Sequence, residues 1–207
     1  MRLFSLILFV SMILPDPLVA RPAETLYLSD ILAQAISTPE GTELVITGKT
    51  ISTKNLKYQY LYEYFEFRHQ GIRPDLSDDK VHIPTAIIFR NCEFEETLFE
   101  RLAFDRKLAF KSCKFSGELR FENSMLSEAI LEDCTFPALR IDRTVMDDYF
   151  ITEWNHAGII HISDSEFYGL TKLVNFVGDH IMIHQSVFHP QRFPCTLPED
   201  SIRYGRK

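Results

Sequence analysis

From residue 87 to residue 188 the chain keeps a five-residue period, and no other feature constrains its fold as strongly. Phe89, Phe94, Phe99 and Phe104 open the series, one extra residue shifts it to Phe110 and Phe115, and another shifts it to Phe121. Leu126, Leu131, Phe136, Ile141, Met146 and Ile151 follow at fives, with His156 on the next beat. Further one-residue shifts lead to Ile162, Phe167, Leu173, Gly178, Ile183 and Phe188. Of these 20 beats 18 are apolar, which neither a helical period of 3.6 nor a plain strand alternation produces.

Four fives make about 20 residues, the length of a solenoid coil. Stacked in fours, the beats form four columns: Phe89, Phe110, Leu131, Ile151, Leu173; Phe94, Phe115, Phe136, His156, Gly178; Phe99, Phe121, Ile141, Ile162, Ile183; and Phe104, Leu126, Met146, Phe167, Phe188. Side chains alternate along extended backbone, so the residue two before each beat faces the same interior. Those positions hold small or aliphatic residues, among them Cys92, Cys113, Cys134, Ser124, Thr144, Ser165, Leu119 and Leu139. Charges such as Glu93, Lys111, Lys114, Glu132 and Arg143 fall between them.

The triplets Cys92-Glu-Phe94, Cys113-Lys-Phe115, Cys134-Thr-Phe136, Ser165-Glu-Phe167 and Ser186-Val-Phe188, with Asn91 and Asp133 ahead of two of them, carry a resemblance over about half the chain. The sequence resembles the pentapeptide-repeat proteins, a family of right-handed four-sided β-helices. That resemblance implies an all-β, right-handed parallel β-helix whose structural ladder includes Phe94, Phe115, Phe136, Cys92, Cys113 and Cys134. A three-sided helix is the rival, because Cys92, Cys113 and Cys134 lie 21 residues apart. Tyr149 and Trp154 at small positions, with His156 and Gly178 on beats, mark 149–180 as an irregular stretch.

Residues 1–20 read as a signal peptide. Arg2 is followed by an apolar run from Leu3 to Leu14 that is too short to span a bilayer, and Ala20 precedes the expected cut. The chain is thus expected to be exported, periplasmic or secreted, with no membrane span after cleavage. Segment 21–52 reads as an N-terminal cap and first strand: a short helix capped by Ser29 or Asp30 and running through Ile36, then a strand from Leu44 to Ile51. An aromatic-rich insertion follows at 53–84, the solenoid fills 85–188, and Pro190, Pro194 and Pro198 set off a C-terminal tail at 189–207.

The formal charge of −7 argues against nucleic acid as a partner, which needs a basic footprint. Cysteines in an exported chain invite disulfides, but three of the four share one interior column. Stacked coils lie about 4.8 Å apart. In-register side chains at that spacing rarely offer the dihedral a disulfide needs, so a ladder of buried thiols is expected. Cys195 has no assignable partner.

The candidate binding residues are Tyr58, Tyr60, Tyr62 and Tyr64, which alternate and would share one face of a strand, facing a glycan or protein ligand or packing on the solenoid wall. Asp147, Asp148, Glu153, His156, His161 and Asp164 form an acidic and histidine-rich stretch that a polysaccharide-cleaving β-helix enzyme could use. Adjacent Asp147 and Asp148 point to opposite sides of a strand, however, and a solvated corner is the expected reading. His180 and His184 lie about 13 Å apart on a strand, too far to share a metal. No phosphate loop, zinc pattern or nucleophile motif is present. The expected protein is a non-catalytic structural or binding module without cofactor or metal. The alternatives are a secreted polysaccharide enzyme and, if the chain stays in the cytoplasm, a DNA-mimicking topoisomerase inhibitor.

Overall fold

The computed structural model of the protein describes residues 24–39, 41–53 and 80–189. The chain opens with β1 (Thr25–Tyr27) and helix α1 (Leu28–Ser37), followed by β2 (Glu43–Thr47) and β3 (Thr50–Ser52). Beyond residue 79 come β4 (Val81–Ile83), β5 (Ala86–Arg90), β6 (Glu93–Phe94), β7 (Thr97–Glu100) and β8 (Leu102–Lys111). The next coils hold β9 (Lys114–Phe115), β10 (Leu119–Glu122) and β11 (Met125–Glu132), then β12 (Thr135–Asp142) and β13 (Val145–Glu153). β14 (His156–Ser163), β15 (Glu166–Phe167), β16 (Leu170–Val174), β17 (His180–His184) and β18 (Val187–Phe188) complete the series. The strands form two nine-stranded sheets, and the pairs within them are parallel. The result is a β-solenoid of about seven turns with one short helix.

Strand register resolves the interior into four columns. Wall 1 stacks Ile46, Phe89, Phe110, Leu131, Thr152 and Leu173. Wall 2 stacks Ile51, Phe94, Phe115, Phe136 and Ala157. Wall 3 runs from Phe99 through Phe121, Ile141 and Ile162 to Ile183. Wall 4 runs from Ile83 through Phe104, Leu126, Met146 and Phe167 to Phe188. Four columns per turn decide against the three-sided alternative. Phenylalanines stack face to face down the upper columns, with centroids 4.6 Å apart for Phe94–Phe115 and 5.2 Å for Phe89–Phe110, while Phe115–Phe136 turns edge-on at 6.2 Å. Between columns they meet edge-on, as Phe89–Phe94 does at 5.1 Å. Each ring so buried contributes roughly 1.5–3 kcal/mol.

Two corners of each turn are left-handed. Between walls 1 and 2, Gly48, Asn91, Ser112, Asp133, Trp154 and Asn175 have positive φ; between walls 3 and 4, Arg101, Asn123, Arg143, Asp164 and Gln185 do. The other two corners pass inside continuous strands, such as β8 and β11 from wall 4 to wall 1. Corner amides stay bonded to the neighbouring coil, with Asn91 N–H reaching Lys111 O at 3.0 Å and Asn123 N–H reaching Asp142 O at 3.0 Å.

At most left-handed corners the next residue is small and satisfies buried backbone groups; Lys49, Leu102 and Phe176 follow the other three. At the wall 3–4 corner, Thr144 Oγ1 donates to Asp142 O at 2.9 Å, and Ser165 Oγ accepts from Thr144 N–H at 3.1 Å. At the opposite corner Cys92, Cys113 and Cys134 hold the equivalent position, and Asn155 continues their line. Asn155 Nδ2 donates to Leu131 O at 2.9 Å while its Oδ1 accepts from Cys134 N–H at 2.8 Å.

Three expectations need correction. The beat does not run unbroken to 151: β13 carries one more residue than β11 between paired positions, since Leu126 faces Met146 but Glu128 faces Tyr149. Phe150, Thr152, Asn155 and Ala157 therefore point inward, while Tyr149, Trp154 and His156 are exposed. The shift falls between Met146 and Tyr149; the walls through Thr152, Ile162 and Phe167 are regular beyond it, and wall 2 then reduces to the single bridge His156–Val177, with Phe176 in the slot of the small residue. Second, the helix begins at Leu28 with Tyr27 at its N-cap and no side-chain cap; Ser29 is buried and Asp30 lies in the first turn, where its charge complements the helix dipole. Third, Leu44–Ile51, expected as one strand, is two strands divided at Gly48, and these pair into the solenoid as β2 with β5 and β3 with β6.

α1 closes the N-terminal end. Leu28, Ile31, Leu32 and Ala35 lie on one helical face and are buried, and the helix packs against β1 and β4. At the other end Ile183 and Phe188, both on interior columns, are 45% and 41% exposed.

The interior yields a paired test. Thr152 Oγ1 is buried with no hydrogen-bond partner among the described residues. Thr152→Val removes that hydroxyl and is expected to stabilise the protein by about 1 kcal/mol, whereas Asn155→Ala strands two buried backbone groups and is expected to cost about 2–3 kcal/mol. Chemical denaturation of the two variants checks both signs.

Candidate functional site

The residues singled out for chemistry do not converge. Asp147 and Asp148 lie at the bulged corner between walls 4 and 1, where Ser127 Oγ donates to Asp148 Oδ2 at 2.9 Å. Glu153 is on wall 1, His156 on wall 2, His161 on wall 3, and Asp164 at the corner after it. One turn of chain thus spreads the cluster around three walls. His180 and His184 sit at the two ends of β17. Among the described residues no group of three His, Cys, Asp or Glu side chains is placed to hold a metal ion. Tyr58, Tyr60, Tyr62 and Tyr64, the signal segment and Cys195 lie outside the described residues.

Cys92, Cys113 and Cys134 are free and buried. Each thiol points at backbone carbonyls: Cys113 Sγ lies 3.4 Å from Lys111 O and 3.6 Å from Phe89 O of the preceding coil, and Cys134 repeats the pattern on Glu132 and Phe110. Contact with Cys113 and burial push the Cys92 thiol far up, and contact with Cys134 pushes Cys113 up to about 12. Contact with Cys113 lowers Cys134. All three sulfurs are closed to solvent. Ellman's reagent is expected to leave these three thiols untouched in the folded protein and to titrate them on unfolding; a fast native reaction at Cys134 would contradict the packing.

Wall 3 carries the densest charge. Arg120 pairs with Glu118 at 3.5 Å and Glu122 at 3.3 Å, and Arg143 with Asp142 at 2.9 Å. Arg140 bonds Glu118, and Arg143 also reaches Glu122. A shallow cavity of about 210 Å³ opens among Arg120, Glu122, Arg140, Asp142, His161 and Ser163. Burial raises the Asp142 carboxyl, but the Ser163 hydroxyl and the Arg143 guanidinium outweigh it and hold the carboxyl below its ordinary range. These arginines are engaged by carboxylates, so the wall is an ion-paired surface and not an open anion site.

Wall 1 differs. The centre line of its outer side reads Val45, Ile88, Ala109, Ile130, Ile151 and Lys172 from coil to coil, with Ile88 and Ala109 buried. On either side run Lys107, Glu128, Tyr149 and Leu170, and Lys111, Glu132, Glu153 and Val174. The charges cancel in pairs: Lys107–Glu128 at 3.6 Å, Lys111–Glu132 at 2.6 Å and Lys172–Glu153 at 3.7 Å. Tyr149 stands at one edge of this wall, 45% exposed, and Trp154 at the other, 60% exposed. Trp154 has φ +58° at a corner whose other occupants are Gly, Asn, Ser and Asp. Gly, Asn and Asp visit the left-handed region readily, whereas a larger side chain there costs about 1–3 kcal/mol, a cost that Arg101, Arg143 and Gln185 also bear at the opposite corner.

Sequence reasoning placed Tyr149 and Trp154 in the interior because it held the fives beyond Met146. The signal that corrects it is the cysteine column, which at its own 21-residue spacing falls next on Asn155. Compared with protein-family models, curated proteins and solved structures, the chain matches none of them. The fold places it in the class of parallel β-solenoids. No helix among the described residues is long and apolar enough to cross a membrane.

Proposed function

We propose that this chain is an exported, non-catalytic structural or binding protein of the pentapeptide-repeat type, working through its outer walls. The observation that supports this reading most directly is the division of labour between inside and outside. The inward-facing thiols, the hydroxyls of Ser124, Thr144 and Ser165, and Asn155 are engaged with backbone groups, while the ionisable residues are dispersed over separate walls. Acid–base hydrolysis needs two carboxyls at a set separation across one bond. Asp147 and Asp148 are neighbours at a bulge with no second carboxylate facing them across a cleft among the described residues, and Asp148 is already an acceptor for Ser127.

The apolar segment at residues 3–14, followed by Ala20, supports export. Expression of the full chain with its own N-terminus, followed by mass measurement of the exported fraction, is expected to find a product beginning at Arg21. Retention at full mass inside the cell would overturn the export reading and direct attention to topoisomerase inhibition. Purified protein incubated with a polysaccharide panel is expected to release no product. Release that disappears in Asp148→Asn, with the fold intact, would overturn the non-catalytic reading.

A further inference from the structure

We propose that the outer face of wall 1 between Tyr149 and Trp154 is a binding site for a neutral glycan chain; this rests on the reading of the protein as a non-catalytic binding module. The two aromatic residues are five positions apart on one coil, about 16 Å along extended backbone. That span suits a short oligosaccharide lying along the strand, with a ring stacked at each end. Between them the surface is flat and mixed: Ile130 and Ile151 are half-buried along the centre line, and Glu128, Glu132, Glu153 and Lys172 border them. Sugar rings present this combination in complement, an apolar C–H face for the aromatic and aliphatic groups and hydroxyls for the carboxylates and the amine.

Charge selects the partner class. Three lysine–glutamate pairs cancel beside the centre line, leaving Arg90 at one end of wall 1 and Asp147 and Asp148 at its edge, so neither a polyanion nor a polycation meets a track of one sign there. The ligand is therefore polar but uncharged. Wall 3, by contrast, is a network of paired arginines with no exposed aromatic among the groups lining its cavity. Trp154 also occupies a corner where Gly48, Asn91, Asp133 and Asn175 hold positive φ in four of the five other coils, Ser112 being the fifth. Stability alone would favour Asn there, as at Asn91 and Asn175. A large exposed indole kept in a strained position is the kind of local conflict that accompanies a binding role.

The chain contains a single tryptophan, so its fluorescence reports on this site alone. Purified protein is titrated with cello-, malto- and chito-oligosaccharides, and with oligogalacturonate as an anionic control. A saturable blue shift with at least one neutral series, and none with the uronate, is expected. Calorimetry on Trp154→Asn and Tyr149→Ala should show binding weakened about tenfold or more. The melting temperature should be unchanged or, for Trp154→Asn, higher. The proposal falls if no neutral series shifts the emission, if only the uronate does, or if both variants bind like the parent. A blank titration on a properly exported protein would remove the glycan site and leave the broader reading standing, pointing to a protein ligand instead. Cleavage products appearing during the titration, with binding still lost in Trp154→Asn, would do the reverse.

Discussion

Left-handed corners are the constraint on which the rest of this solenoid depends. A turn can close on four short walls only if the backbone bends sharply, and two bends in each coil are made by single residues at positive φ. Such a bend leaves backbone groups facing the interior, where a missing hydrogen bond is costly. In most coils the following residue is small enough to enter the column and polar enough to satisfy them, while Leu102 and Phe176 fill that slot with apolar side chains. Cys113, Cys134, Thr144 and Ser165 meet both demands, and Asn155 meets them with two bonds where a thiol makes weaker ones. The large apolar residue two positions on then has a fixed place to stack. The five-residue period is the shadow of that sequence of requirements.

This explains what was legible before any coordinates. The columns through Phe89, Phe94, Phe99 and Phe104 could be read because each demands the same chemistry at a fixed interval, and the register reproduces them down to Phe136, Ile141 and Met146. The failure after Met146 has a physical origin. Corners inside continuous strands tolerate one extra residue as a bulge, and a bulge leaves no mark on composition. Ile151 and Thr152 could each be assigned to the interior on size; only the pairing of Leu131 with Thr152 decides. The helix cap was misplaced for a related reason. Ser29 has the chemistry of an N-cap, but the apolar face of Leu28, Ile31, Leu32 and Ala35 must meet the top of the columns, and that packing draws Leu28 into the helix.

The two ends of the stack obey unequal rules. At the N-terminal end a helix lies over the columns, and its buried face replaces the coil that is missing above. A helix suits this task because its backbone bonds are internal and offer no edge to another strand. At the opposite end β17 and β18 place Ile183 and Phe188 on interior columns without a further described coil beneath them. The ladder that makes each coil stable is borrowed from its neighbours, so the last coil holds the least of it.

A solenoid separates what makes it fold from what it can recognise more completely than a globular domain does. Interior positions answer to the repeat, so they are readable from the period and say little about partners. Exterior positions are free of it, and a site there shows itself only as a departure from what the local backbone would choose. Wall 1 carries such a departure. Its lysine–glutamate pairs and its aliphatic centre line are ordinary for a twisted parallel sheet, but a tryptophan at φ +58° works against its own backbone. Because the inserted residue after Met146 turns Tyr149 outward on the same coil, the step that broke the sequence pattern is also the step that placed two aromatic side chains along one wall.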